Sequence, residues 1–197
     1  TESNYTNDKK STFAIDLQAA NVLDGRPSTS TCLLNEFVAV SDRDGAVSLL
    51  DEESLTAQYS VKFDSPCSHL SSHHNHLLAS STEGKLYHYS HDTRSTTTYA
   101  SVTATASKVN MTDWHPCGEY FVSCDGDAKW HFWSVTDNTR PLFTMHGHHP
   151  NLGIKSITVE RVAGALVGTG GGDGAMRVWD CRVGKCIFTA NEHVQAV

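Results

Sequence analysis

Two histidine runs suggest metal chemistry on first reading. His73-His74-Asn75-His76 and His146-Gly147-His148-His149 together hold half of the 12 histidines in the chain. Their spacing argues against a single site, because adjacent residues of an extended strand point to opposite faces and do not converge on one ion. They read instead as polar residues of loops. Serine, histidine and aspartate are all present for a nucleophilic triad, but the chain has no Gly-x-Ser-x-Gly elbow and no cysteine-centred equivalent. Gly168 to Gly174 is glycine-rich enough to approach a phosphate. It lacks the lysine and the following helix of a phosphate-binding loop, so a tight strand turn is the expectation. Trp114, Trp130, Trp133 and Trp179 could stack on bases, but their strand-like surroundings favour a core. The expectation is a protein that is not an enzyme, with no catalytic residue, no cofactor and no metal.

Composition narrows the classes further. The 197 residues carry a formal charge of −7, and the basic residues are scattered singly, so there is no electrostatic footprint for tracking a nucleic-acid backbone. Any RNA contact should be local or carried by a partner. Apolar stretches fall far short of the ~20 residues that span a bilayer. Six cysteines, at 32, 67, 117, 124, 181 and 186, are too irregular for a disulfide framework and contain no Cys-x-x-Cys pair. Reduced thiols in cytosol or nucleus are expected, including Cys181 and Cys186 near the last hairpin.

A repeat supplies the elements. Four segments share an apolar stretch, an acidic or glycine-containing turn and an alternating strand, with the turn residue at Asp44, Glu83, Asp127 and Asp173. A bulky residue follows each by six positions, at Leu50, Tyr89, Trp133 and Trp179, spaced 39, 44 and 46 apart. Each segment predicts two antiparallel strands around a tight turn, with Gly45 and Gly84 supplying positive φ and the acidic side chain accepting backbone N–H bonds. Earlier strands should end near Leu34, Ser71, Trp114 and Glu160. Later ones should run over Thr56 to Val61, Thr97 to Val102, Leu142 to Met145 and Lys185 to Thr189. A lone four-stranded meander cannot cover its own faces, so repeats of this period must pack face to face around an axis.

These residues resemble the WD-repeat family. The fourth repeat fits it best: Gly147-His148, thirty residues, then Trp179-Asp180, with Thr169 on the second strand and Asp173 in the turn. The resemblance implies a buried hydrogen-bonded network of His148, Thr169, Asp173 and Trp179, with Asp127 and Trp133 holding the equivalent places in the third repeat. Leu50 and Tyr89 stand where the family has tryptophan, and Glu83 where it has aspartate. The implied fold is an all-β propeller, with about four blades of a probable seven and therefore an incomplete ring. Its expected parts are a lead-in over 1–27, blades over 28–64, 65–108, 109–147 and 148–191, and the start of a fifth over 192–197. Phe13-Ala-Ile-Asp-Leu17 alternates like a strand that would close the ring.

Longer matches point within the family. Asp113-Trp-His-Pro-Cys-Gly118, Asp127-Ala-Lys-Trp130-His-Phe-Trp133, Gly168-Thr-Gly-Gly and Arg177-Val-Trp-Asp-Cys-Arg182-Val-Gly-Lys-Cys186-Ile closely resemble successive blades of the WD-repeat splicing factors of the U4/U6 small nuclear ribonucleoprotein. Asp24-Gly25-Arg26-Pro27 looks like the stretch that leads into their propeller. The resemblance implies a nuclear scaffold in pre-mRNA splicing. Its implied partners are U4/U6 proteins, including a cyclophilin-type prolyl isomerase, with U4 and U6 small nuclear RNA in the same particle. Candidate partner contacts on rim loops are Asn35, Glu36, His73, His74, Asn75, His115 and Arg182. A rival reading comes from Trp179-Asp180-Cys181-Arg182, which fits the Trp-Asp-x-Arg pattern by which WD-repeat receptors dock the adaptor of cullin ubiquitin ligases. The plainer alternative is that Arg182 closes its turn.

Overall fold

The computed structural model describes residues 28–99 and 107–191, which form four antiparallel sheets of four strands. The first sheet holds β1 (Ser28–Leu34), β2 (Phe37–Asp42), β3 (Ala46–Asp51) and β4 (Ala57–Lys62), and the second β5 (Cys67–His73), β6 (His76–Ser81), β7 (Leu86–Ser90) and β8 (Ser95–Tyr99). The third holds β9 (Val109–Trp114), β10 (Tyr120–Asp125), β11 (Lys129–Ser134) and β12 (Phe143–His146), and the fourth β13 (Ile154–Val159), β14 (Leu166–Gly171), β15 (Met176–Asp180) and β16 (Lys185–Ala190). Strand order follows chain order in every sheet. Positive-φ residues punctuate the hairpins at matching places: Gly45, Gly84, Ala128 and Gly174 follow the four acidic turn residues. The β7–β8 turn shifts one expected strand, because Arg94 (φ 50°) closes it and pairing begins at Ser95 opposite Ser90, ahead of Thr97. The proposed Phe13–Leu17 strand and residues 192–197 lie outside the described residues.

Alternation decides which face goes where. Between sheets one and two, Ala39, Val47 and Leu49 meet Leu70, Leu77, Tyr87 and Tyr89 in one cluster. Leu78, Leu86 and Tyr99 meet Trp114, Phe121 and Trp133 between sheets two and three, and Val122, Trp130 and Phe132 meet Ile157, Val167 and Trp179 between three and four. The four tryptophans are all 3% exposed or less, so their rings are spent on packing. The far face of the fourth sheet is thinner. Gly168, Gly170 and Met176 stand where the third sheet has Val122, Cys124 and Trp130, and they line, with Ser156 and Thr158, an open cavity of about 480 Å³.

Polar stitches fix the angle between sheets three and four. The Asp113 carboxylate accepts bonds from the Val159 N–H (2.8 Å), the Thr158 hydroxyl (3.1 Å), the Arg161 guanidinium (2.9 Å) and the Trp114 N–H (2.9 Å). Removing it leaves two buried main-chain donors without an acceptor, each costing roughly 1–3 kcal/mol. Asp113→Ala should therefore destabilise the chain by about 2–4 kcal/mol in urea unfolding, whereas Asp137→Ala, in an exposed turn, should change it by less than about 1 kcal/mol.

Candidate functional site

Each blade must satisfy the N–H groups of its second turn, and the chain does this in two ways. In the first three blades the acceptor lies two residues before the acidic turn residue. Asp42 Oδ1 accepts from the N–H of Asp44 (2.9 Å) and Ala46 (2.8 Å), and Ser81 Oγ from Glu83 (3.2 Å) and Lys85 (2.9 Å). Asp125 Oδ1 accepts from Asp127 (2.9 Å) and Lys129 (3.0 Å). Sequence reasoning gave this task to the acidic residues at 44, 83 and 127. The repeat did carry the right signal, in Asp, Ser and Asp at one register position.

The fourth blade has Gly171 at that position. A Cβ there would lie 2.1 Å from His148 Nδ1 and 2.2 Å from Asp173 Oδ1, so the glycine makes room for an imidazole arriving from the connection between blades. His148 Nδ1 is 2.9 Å from Asp173 Oδ1, His148 Nε2 is 2.8 Å from Thr169 Oγ1, and Trp179 Nε1 donates to Thr169 Oγ1 at 2.8 Å. Arg177 Nη1 also lies 2.6 Å from Nδ1, so the imidazole, the Asp173 carboxylate and the guanidinium form one polar cluster over Gly171. Asp173 also accepts from the N–H of His149 (3.1 Å) and Ala175 (3.2 Å) and from Arg177 (3.1 Å). Gly147 is small for a related reason: a Cβ there would meet the Trp179 ring at 2.5 Å.

The third blade combines the two arrangements. Trp133 Nε1 donates to Ser123 Oγ at 3.0 Å, matching the Trp179 to Thr169 bond. The sequence reading paired Trp133 with Asp127. The carboxylate that meets an imidazole here is Asp125, whose Oδ2 lies 3.0 Å from His131 Nε2, while His131 Nδ1 reaches Thr144 Oγ1 at 2.9 Å. The imidazole comes from β11 itself, so no Gly-His dipeptide is needed ahead of this blade. His131 was not anticipated, since its neighbours in sequence are apolar and its partner is six residues away.

These networks sit at one rim, with the β2–β3 type turns and the connections between blades. The candidate partner residues all fall at the opposite rim, where the first and third turns of each blade gather. Several of them are used within the chain. Asn35 Nδ2 donates to Asn75 Oδ1 of the next blade, and Asn75 Nδ2 donates to Asp92 (2.7 Å). His73 reaches Pro116 O at 3.2 Å and packs on Gly118, while His115 packs on Gly164. Arg182 forms a two-pronged pair with Asp180, at 3.0 and 2.6 Å, and so closes its own turn. Glu36 and His74 are exposed, as are Val162 (90%) and Val183 (60%) on the same rim.

Burial sets the electrostatics of the imidazoles. It lowers the pKa of His69, His73, His115 and His148, and takes His88, 3.0 Å from His76 between sheets two and three, down to about 4. Burial pushes the Asp173 carboxyl up, but its bonds to His148, His149, Ala175 and Arg177 outweigh this and hold it well below the usual range. Among the described residues, no three His, Cys, Asp or Glu side chains converge as for a metal ion, and the six cysteines are free thiols.

Sequential four-stranded meanders, packed face to face with their first strands side by side, define a β-propeller. No protein-family model matches the chain. Its structure is similar to a chain in the crystal structure of the mitotic checkpoint complex, with a TM-score of 0.77 and 21% identity, over 87% of this chain and 53% of that one. The fold is thus that of a WD40-type propeller with about four blades, and the chain spans about half the length of this neighbour.

Two outcomes follow from the networks. Asp125→Ala removes the acceptor of two turn N–H groups and of His131, and should cost about 3 kcal/mol in urea unfolding. For His69, His73, His88, His115 and His148, folded pKa values lie below the unfolded 6.5, so the unfolded chain takes up protons first as pH falls. Stability should be full above pH 6.5 and be lost as pH drops toward about 4, with His88 alone contributing on the order of 3 kcal/mol. Urea midpoints at pH 7.5 and 5.0 measure this, and His88→Gln should flatten the slope. Equal midpoints would contradict neutral buried imidazoles.

Proposed function

We propose that this chain is a noncatalytic scaffold that holds partner proteins on the rim formed by the first and third turns of its blades. The observation that carries the reading is the division of labour between the rims. One is consumed by the turn acceptors and the His148 network. The other presents exposed Val162 and Val183 among Glu36, His74, Arg161 and Arg182, the mixture of apolar anchors and charged groups that suits a protein interface. The structural neighbour belongs to a multiprotein complex, which supports the same use of the fold.

The finer reading is a nuclear role in pre-mRNA splicing, within the U4/U6 small nuclear ribonucleoprotein. It is supported by the sequence resemblance over residues 109–197, in particular the second tryptophan Trp130 and the run from Gly168 to Trp179-Asp180. The partners would be U4/U6 proteins, including a cyclophilin-type prolyl isomerase, with U4 and U6 RNA carried in the same particle. The tagged chain, incubated in nuclear extract, should recover U4 and U6 RNA and the isomerase. Glu36→Lys combined with Val162→Asp should reduce recovery at least about fivefold while leaving the unfolding free energy in urea within about 0.5 kcal/mol. Recovery of a cullin adaptor without those RNAs, or undiminished capture by the rim variant, would overturn the assignment.

A further inference from the structure

We propose that the outer face of the fourth sheet is a self-association surface, on which two copies of this chain pair about a two-fold axis running along the strands between β14 and β15. Among the described residues no sheet lies on this face, and Met176 (45%) and Phe188 (52%) stand exposed on it. The first sheet offers no matching face to a second copy. Val38, Val40 and Leu50, which point away from the second sheet, are all 4% exposed or less. Head-to-tail stacking therefore has no receiving surface, and copies must join through like faces, an arrangement that closes at two.

The relief of the face suits that symmetry. The strand registers set Ser156 and Thr158 of β13, Gly170 and Gly168 of β14, Met176 and Val178 of β15, and Ala190 and Phe188 of β16 side by side on it. The two glycines make a furrow, part of the open cavity of about 480 Å³, and the side chains of β15 and β16 make a ridge beside it. An axis along the strands lays β15 of each copy over β14 of the other. Met176 then stands over Gly170, Val178 over Gly168, and Phe188 over Thr158, so the ridge of each copy fills the furrow of the other. An axis across the strands would instead set furrow on furrow and leave both empty, losing the packing that drives association.

Charge and area bear on the same choice of occupant. None of these eight residues is charged, so a chain of formal charge −7 can meet its own copy here without setting like charges against each other. Four strands about 4.8 Å apart and about 20 Å long present roughly 400 Å² of face. With side chains interdigitated, two such faces bury on the order of 1,000 Å², the lower end of specific association. A dissociation constant of about 10 µM is the expectation. The pairing leaves the partner-binding rim open in both copies and does not depend on the scaffold reading.

Sedimentation equilibrium of the intact chain between about 1 and 200 µM tests this, and should show monomer and dimer with no larger species. Met176→Asp should raise the dissociation constant at least about tenfold. Gly168→Val separates specific pairing from mere stickiness. A Cβ at Gly168 meets only the Thr158 methyl, at 3.3 Å, so this variant should keep its urea midpoint or raise it. It adds apolar surface but fills the furrow, and should therefore weaken the dimer at least about tenfold. A monomer throughout the concentration range, association that continues beyond two copies, or a Gly168→Val chain that pairs as well as the unsubstituted one would overturn the proposal.

Discussion

A four-stranded meander has two faces, and water is kept from both only when another sheet lies on each side. That constraint organises this protein. It explains why Val47 and Leu49 project toward one neighbour, and why Trp130 and Trp179 meet at 5.8 Å across the gap between blades three and four. It also explains why the bulky positions recur at a period near forty: each repeat supplies one layer of a continuous core. Burial of this kind is non-directional, so it sets which faces meet but not their angle. The angle comes from polar stitches such as Asp113, whose carboxylate reaches three residues of the next blade.

Inside each blade the corresponding problem is the second turn, whose N–H groups point inward. A side chain at the end of the second strand can accept them, as Asp42, Ser81 and Asp125 do. Alternatively that position is glycine, and an imidazole from outside the blade takes the space, as His148 does over Gly171. The two solutions exclude one another sterically, which accounts for the unevenness of the repeats. Blades without the Gly-His dipeptide have a local acceptor in its place. The fourth blade gains from its arrangement a tie to the preceding connection, through the bonds of Asp173 to His148 and the His149 N–H.

Because strands alternate in direction, these ties accumulate at one rim and leave the other to its turns. The turns of the second rim also lean on one another from blade to blade, through Asn35 and Asn75, His73 and Pro116, and Asp113 and Arg161. The rim is thus a braced surface with side chains such as Val162 and Glu36 standing free of the bracing. Binding on braced turns costs little ordering entropy, which suits a scaffold.

The all-β class, the four repeats, most strand positions and the membership of the fourth-blade network were written in the sequence, because period-two alternation and turn chemistry are local properties. The equivalence of residues 42, 81 and 125 was also visible there, as a register position, though its task was not. Tertiary structure alone decided which carboxylate meets which imidazole, since His131 and Asp125 face one another across paired strands. It decided that Asn35, His73 and His115 serve the neighbouring blade, because contacts between blades join residues some forty apart that no local pattern relates.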